Sequence, residues 1–213
     1  MEIKAMYKLY WAAGTGAFAP QALLEEIGAS YEKIVIDREN EEHRSAEFLA
    51  INPMGEIPAL VLPDGSFMTE SAAIMLQICE RHPEAKLAPA PGSPESATFQ
   101  RWFVFMSANI YQDILRLYYG DRFTNDPKGA DDVASAALSA LDRHFAILNE
   151  ALSPGPYLLG ETFSAADIYL FMLAQWHPDI PQLFEANDRI RLHAELVEAR
   201  PVVARVWAEH AED

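Results

Sequence analysis

Asn52-Pro53-Met54-Gly55-Glu56-Ile57-Pro58-Ala59-Leu60, with Thr69-Glu70-Ser71-Ala72-Ala73-Ile74 after it, sets the reading of the whole chain. Proline removes a ladder donor, so within a sheet it belongs at a strand's first residue or at an edge. Ile57-Pro58 stands where a short strand over residues 59–62 begins. A cis bond there would turn the Ile57 backbone outward and leave its N–H and C=O to an extended peptide. Pro63-Asp64-Gly65 signals a turn, and Phe67-Met68 a second short strand. Glu70 and Ser71 then open a helix whose unsatisfied first-turn N–H groups favour a carboxylate. Together these features suit a small peptide with an anionic end.

Upstream, residues 6–11 read as a first strand, ended by Ala12-Ala13-Gly14 and a flexible turn at Gly14-Thr15-Gly16. Pro20 fits the first turn of a helix that runs through Leu23, Leu24 and Ile27 and stops at Gly28. Residues 31–36 form a second strand, and the charged stretch 37–47 leads into a short helix around Phe48. The helix opened by Glu70 extends to about His82. Downstream, Pro83, Pro89, Pro91, Gly92 and Pro94 cluster as an interdomain linker. Thereafter the pattern is helical. Trp102, Phe103, Phe105 and Met106 lie on one long helix that continues past Tyr111 towards Tyr119. Leu138, Leu141, Phe145, Leu148 and Leu152 mark one face of another, stopped by Pro154-Gly155-Pro156. Ser164-Ala165-Ala166-Asp167 is a capping box, with Phe163 and Ile168 at the staple positions. That signal concerns folding rather than chemistry.

Composition narrows the function classes. The chain has 213 residues, half of them apolar, enough for a real core and too many for disorder. Its formal charge of −16 argues against nucleic acid or an anionic membrane as partner. No apolar run reaches membrane-span length, and Met1-Glu2-Ile3-Lys4 lacks a leader's pattern. With one cysteine, Cys79, no internal disulfide framework exists, and a cytoplasmic protein is expected. Cys79 falls on the apolar stripe of Met75 and Ile78, so it reads as core. No Cys-x-x-Cys supports thiol–disulfide exchange, and the six histidines are scattered without metal-ligand spacing, so no metal site is expected.

The strand-initiating Ile57-Pro58 and the Glu70-Ser71 pair at the next helix start resemble the glutathione-binding half of the glutathione S-transferases. The resemblance covers nearly the whole chain. Phe48-Leu49-Ala50-Ile51-Asn52-Pro53 and Tyr169-Leu170-Phe171, with Gln175-Trp176 after it, look most like the bacterial beta class. The resemblance implies an α/β thioredoxin-like N-terminal domain of order β-α-β-α-β-β-α (1–83), a linker (84–94) and an all-α C-terminal domain (95–213). It implies a homodimer that takes glutathione as co-substrate, with no other cofactor. The implied activity is addition of the glutathione thiolate to small apolar electrophiles, a detoxifying transfer, in an apolar pocket between the domains. Another glutathione enzyme (a lyase, peroxidase or isomerase) and a non-catalytic glutathione- or partner-binding protein are the alternatives.

By the same resemblance, Ser71 and nearby helix N–H groups hold the γ-glutamyl carboxylate, and Glu70 pairs with the amino group. Ile57 and Pro58 present the backbone edge. For the glycyl end the family offers Lys or Arg; here Arg38, His43 and Arg44 are the available cations. A free thiol of pKa near 8.5 needs a donor and a helix N-terminus to become a thiolate at neutral pH. The beta class carries a cysteine in the loop before the first helix, and the aligned position is Gly16. Thr15 is the only hydroxyl there, so either the Thr15 hydroxyl or the N–H groups of Gly16 and Ala17 bond the thiolate; the alternative for Thr15 is that it only shapes the turn. Where relatives place a histidine and an asparagine on the long helix, this chain has Tyr111 and Val104. Tyr111 can donate to sulfur or substrate, or pack with a wet tip. Trp11, Val104 and Tyr111 are the candidate pocket wall, with core packing the alternative for Tyr10 and Trp11.

Overall fold

A computed structural model describes residues 6–211, so the start Met1-Glu2-Ile3-Lys4 lies outside the described residues. The chain divides into two compact units, one holding the chain up to Lys86 and again from Ala199, the other Leu87–Glu198. The first unit contains β1 (Tyr7–Trp11), α1 (Phe18–Glu26), β2 (Tyr31–Val35), α2 (Ala46–Leu49), β3 (Ala59–Val61), β4 (Phe67–Met68) and α3 (Ser71–Arg81). This is the thioredoxin-like order. The sheet runs β2-β1-β3-β4, with β1 and β2 parallel and both other pairings antiparallel.

Alternation along β1 decides what covers each face. Tyr7, Leu9 and Trp11 are buried on one face. On the other face Tyr10 joins Ile51 and Ile57 against Ile36, Phe48 and Ala59. Helices α1 and α3 pack together through faces that include Leu23, Leu24, Ile74, Met75 and Ile78, all fully buried. Cys79 shares that core, and burial pushes its thiol up to about 12, which removes it as a nucleophile. Gly28, at φ 68°, ends α1 where the sequence places the stop.

The second unit begins with α4 (Pro94–Phe105), capped by Ser93, whose Oγ accepts the Ser96 N–H at 3.2 Å. The long helix expected through residues 102–119 runs on without a break to Tyr118, but with a π turn at Met106–Ile110 between α4 and α5 (Tyr111–Tyr118), where the Tyr111 N–H reaches back to the Met106 carbonyl. Asn109 Nδ2 donates to the Phe105 carbonyl at 3.0 Å. The extra residue shifts the apolar stripe by one position, and a single five-residue turn is too short for periodicity to register the shift. Next come α6 (Ala130–Ala151), α7 (Ala165–Gln175), α8 (Ile180–Ala186) and α9 (Asp188–Glu198).

Helix α7 is the centre of this unit, with every residue from Ala165 to Ala174 buried. A helix apolar on all sides has to be surrounded, and its start must be satisfied internally. Asp167 does this. Its carboxylate accepts the Ser164 N–H (2.8 Å), the Ser164 hydroxyl (2.8 Å) and the Leu158 N–H (2.9 Å), with His193 Nε2 at 3.1 Å.

The last helix, α10 (Pro201–Ala211), belongs to the first unit, whereas the sequence reading put all of 95–213 in the helical domain. The reason is contact, not chain order. Helix α10 packs on α1, Arg200 forms a two-pronged pair with Glu26 (2.9 and 2.7 Å), Arg205 pairs with Glu25, and Lys33 Nζ lies 2.6 Å from Glu209.

Candidate functional site

Sheet register gathers the sequence-predicted residues of the first unit at one end. Tyr10 pairs with Ala59, and Leu60 with Met68. Because β3 runs antiparallel to both β1 and β4, the end of β1 at Trp11, the start of β3 at Ala59 and the end of β4 at Met68 share one end of the sheet. Three segments therefore meet at the carboxyl end of β1: the turn after Trp11, the Ile57-Pro58 edge and the start of α3.

The edge is held from inside by Asn52, a residue the sequence reading quoted but did not assign. It is buried; its Nδ2 donates to the Glu56 carbonyl at 2.7 Å, and its Oδ1 accepts the Met54 N–H at 3.1 Å. Gly55 closes the loop at φ 65°, where a Cβ would sit 2.8 Å from Arg44 Nη1 and 2.9 Å from the His43 carbonyl oxygen. Only glycine fits so close an approach at that φ. The Ile57-Pro58 peptide is cis, and no described residue hydrogen-bonds the Ile57 N–H or C=O. Arg44 donates to the Met54 carbonyl at 3.2 Å and so braces this loop, while Arg38 is exposed.

At the start of α3, Glu70 is held at φ 67° and ψ 108°, a region that costs a non-glycine residue about 1–3 kcal/mol. Its carboxylate is exposed and has no partner among the described residues. Ser71 beside it is buried. An unpaired acid on a strained backbone at a helix start has no folding role that these contacts reveal.

In the turn before α1, Thr15 is turned inward. Its hydroxyl donates to the Ala12 carbonyl at 2.7 Å and accepts the Ala17 N–H at 3.3 Å, and the Phe18 N–H donates to the Thr15 carbonyl at 3.2 Å. Of the donors the sequence offered, this leaves the Gly16 N–H, which no described residue engages.

The residues read as a pocket wall are divided between the two units. Trp11 is only 8 % exposed, because strand alternation sends it to the α1 and α10 face. There its Nε1–H points at Gln21 Oε1 (2.6 Å) and His210 Nε2 (2.7 Å). In the helical unit Val104 is 63 % exposed, and the Tyr111 ring meets the Trp176 ring edge-on at 5.5 Å. Trp176 is a site candidate the sequence reading used only for resemblance. No local pattern marks its ring; the Tyr118 hydroxyl donates to its carbonyl at 3.0 Å across 58 positions. Among the described residues no group of three or more His, Cys, Asp or Glu could hold a metal ion, and no helix is long and apolar enough to cross a membrane.

Two family models match the chain: the glutathione S-transferase N-terminal domain over residues 5–79 and the C-terminal domain over residues 131–205. The uncharacterized GST-like protein YncG of Escherichia coli K12 is 30% identical over 174 residues, which span 81% of this chain and 83% of that one. A glutathione transferase homologue from Sulfitobacter, solved with bound glutathione, superposes with a TM-score of 0.86 at 26% identity, covering 96% of this chain and 98% of its own. The bacterial beta class glutathione S-transferase of Sphingomonas chungbukensis superposes with a TM-score of 0.81 at 28% identity, covering 96% and 98%. With sequence pattern, sheet topology and relatives agreeing over nearly its full length, the chain belongs to the glutathione S-transferase family.

Proposed function

We propose that the protein binds glutathione at the carboxyl end of β1 and activates its thiol for attack on small apolar electrophiles. The observation that carries this is the convergence, through strand register, of an unengaged Ile57 backbone edge and the strained, unpaired Glu70 beside Ser71. The peptide backbone of glutathione pairs with Ile57. Its γ-glutamyl carboxylate takes the α3 start at Ser71, and its amino group takes Glu70. The thiol lies against the Gly16 N–H at the start of α1, where an orphan donor and the helix dipole favour the thiolate. Thr15 shapes that turn through its bond to the Ala12 carbonyl. We extend the reading to a cytoplasmic homodimer, the state the family resemblance implies; sedimentation equilibrium tests it, and a monomer at micromolar concentration overturns it.

A second reading, binding without turnover, is favoured by the same turn. Gly16 supplies no side chain, and the Thr15 proton is committed to Ala12. Calorimetric titration with glutathione, followed by conjugation assays across aromatic and aliphatic electrophiles, separates the two. Binding with turnover supports a transferase, binding alone supports the second reading, and no binding at millimolar glutathione removes both.

A further inference from the structure

Trp11 and Gln21 close the turn before α1 like a clasp, joining the last residue of β1 to the first full turn of α1 by the 2.6 Å bond from Nε1–H to Oε1. His210, on α10, touches both halves of the clasp. Its Nε2 lies 2.7 Å from Trp11 Nε1 and 3.0 Å from Gln21 Oε1, and its ring packs edge-on against Trp11 (4.9 Å) and Phe18 (5.5 Å). We propose that His210 is a positioning residue for the turn at 14–17: through Trp11 and Gln21 it sets the direction of the Gly16 N–H, and it releases the clasp when protonated.

The chemistry follows from donor counting. A neutral imidazole that accepts the Trp11 N–H at Nε2 carries its own proton on Nδ1, which is buried with no hydrogen-bond partner among the described residues. A second proton on Nε2 removes that acceptor and makes Nε2 a donor that competes with the Trp11 N–H for Gln21 Oε1, 3.0 Å away. The indole then loses one acceptor and shares the other, which loosens the strand end whose Ala12 carbonyl holds Thr15. The charge also enters a site with little to receive it. The charged groups around His210 are Glu209 on its own helix, Lys33 on β2 and, through Gln21, Glu25 on α1; β1 presents Trp11. Glu209 is already bonded by Lys33 (2.6 Å) and Gln21 Nε2 (3.0 Å), and Glu25 by Tyr31 (2.6 Å) and Arg205. Lys33 also stands over the Trp11 ring at 4.5 Å, which adds a repelling charge. Burial and Lys33 outweigh Glu209 and hold the imidazole neutral, with its pKa pushed down to about 4.

The consequence for glutathione rests on the function proposed above; the coupling of His210 to the turn does not. The full-length protein, labelled for amide and indole NMR, is titrated from about pH 7.5 to about pH 3, past the value of about 4 to which the His210 imidazole is held. The Trp11 indole N–H and the Gly16 and Ala17 amides should move together with one midpoint, and His210→Gln, which keeps a neutral polar tip, should abolish that movement. Turn amides that stay still while the indole moves, or that move identically in His210→Gln, overturn the proposal. At about pH 7.5, His210→Phe should weaken glutathione binding about fivefold, the loss of one neutral hydrogen bond, and His210→Gln should stay near wild type. Equal Kd values in all three proteins overturn the positioning role even if thermal stability falls. If His210→Phe does not fold, the titration with His210→Gln decides. A wild type that binds no glutathione, with turn amides still following His210, removes the function and supports the coupling.

Discussion

Asp167 and Glu70 are both acids at the start of a helix beside a serine, and the protein treats them in opposite ways. Asp167 is 0 % exposed and takes hydrogen bonds from two backbone N–H groups and the Ser164 hydroxyl, with His193 against it. Its helix sits in relaxed geometry, with Ser164 extended at φ −144°. Glu70 is exposed, has no partner among the described residues and is held at φ 67°. One helix start is closed and satisfied, which is what a folding element in the middle of a helical unit requires. The other is left open with its strain uncompensated by any visible contact, the arrangement expected where a ligand completes the bonding. Residue types alone do not separate the two; burial and φ do.

The largest effect that tests this contrast is Asp167→Ala. Removing the acceptor orphans buried donors and should cost on the order of 3–5 kcal/mol in urea denaturation, while glutathione affinity of the folded fraction is unchanged. A loss under about 1 kcal/mol would mean that the network does not hold α7 in place. Acid probes the unit that holds Glu70. The His210 pKa falls from its ordinary 6.5 to about 4 in the folded protein. Below pH 6.5 the unfolded chain takes up a proton that the folded chain refuses. Stability is therefore complete above the unfolded value and is lost down to about pH 4, by roughly 3 kcal/mol in all. His210→Gln should flatten that part of the stability–pH curve, and an unchanged slope would assign the acid loss elsewhere.

Glu70→Ala should do the reverse of Asp167→Ala. Glutathione binding weakens on the order of tenfold to a hundredfold by calorimetry, as for a lost charged hydrogen bond, with stability hardly altered. Glu70→Gly sharpens the point, because it relieves the φ of 67° while removing the charge. Stability should rise by about 1 kcal/mol while binding falls, and a destabilised Gly variant would show that the backbone there is not strained. Smallest is Thr15→Ala, which deletes the 2.7 Å bond to Ala12. About 1 kcal/mol of stability is at stake, and the bound thiol's pKa should rise, read by thiolate absorbance against pH. Thr15→Ser should restore both. An unmoved thiol pKa in Thr15→Ala takes Thr15 out of the mechanism.

Much of the candidate site's backbone was legible in the sequence, and for a local reason. Ile57-Pro58, the glycine at 55, the Glu70-Ser71 start and the Ser164–Asp167 box each act on their own backbone within a few residues, so their signals survive in one dimension. The Thr15 hydroxyl was narrowed to two roles and no further, since a hydroxyl in a turn chooses its acceptor only when the Ala12 carbonyl is in place.

Sequence by itself determined the order of elements through residue 82, the proline-led strand, the two serine-bearing helix starts and the core status of Cys79. Each of these is written in short-range backbone preference or in apolar spacing. Only tertiary structure decided which face Trp11 turns to, that α10 returns to the first unit, and that a π turn separates α4 from α5. Those outcomes depend on partners far along the chain: His210 meets Trp11 across 199 positions. A residue's own propensity carries no record of a neighbour that only the packed fold supplies.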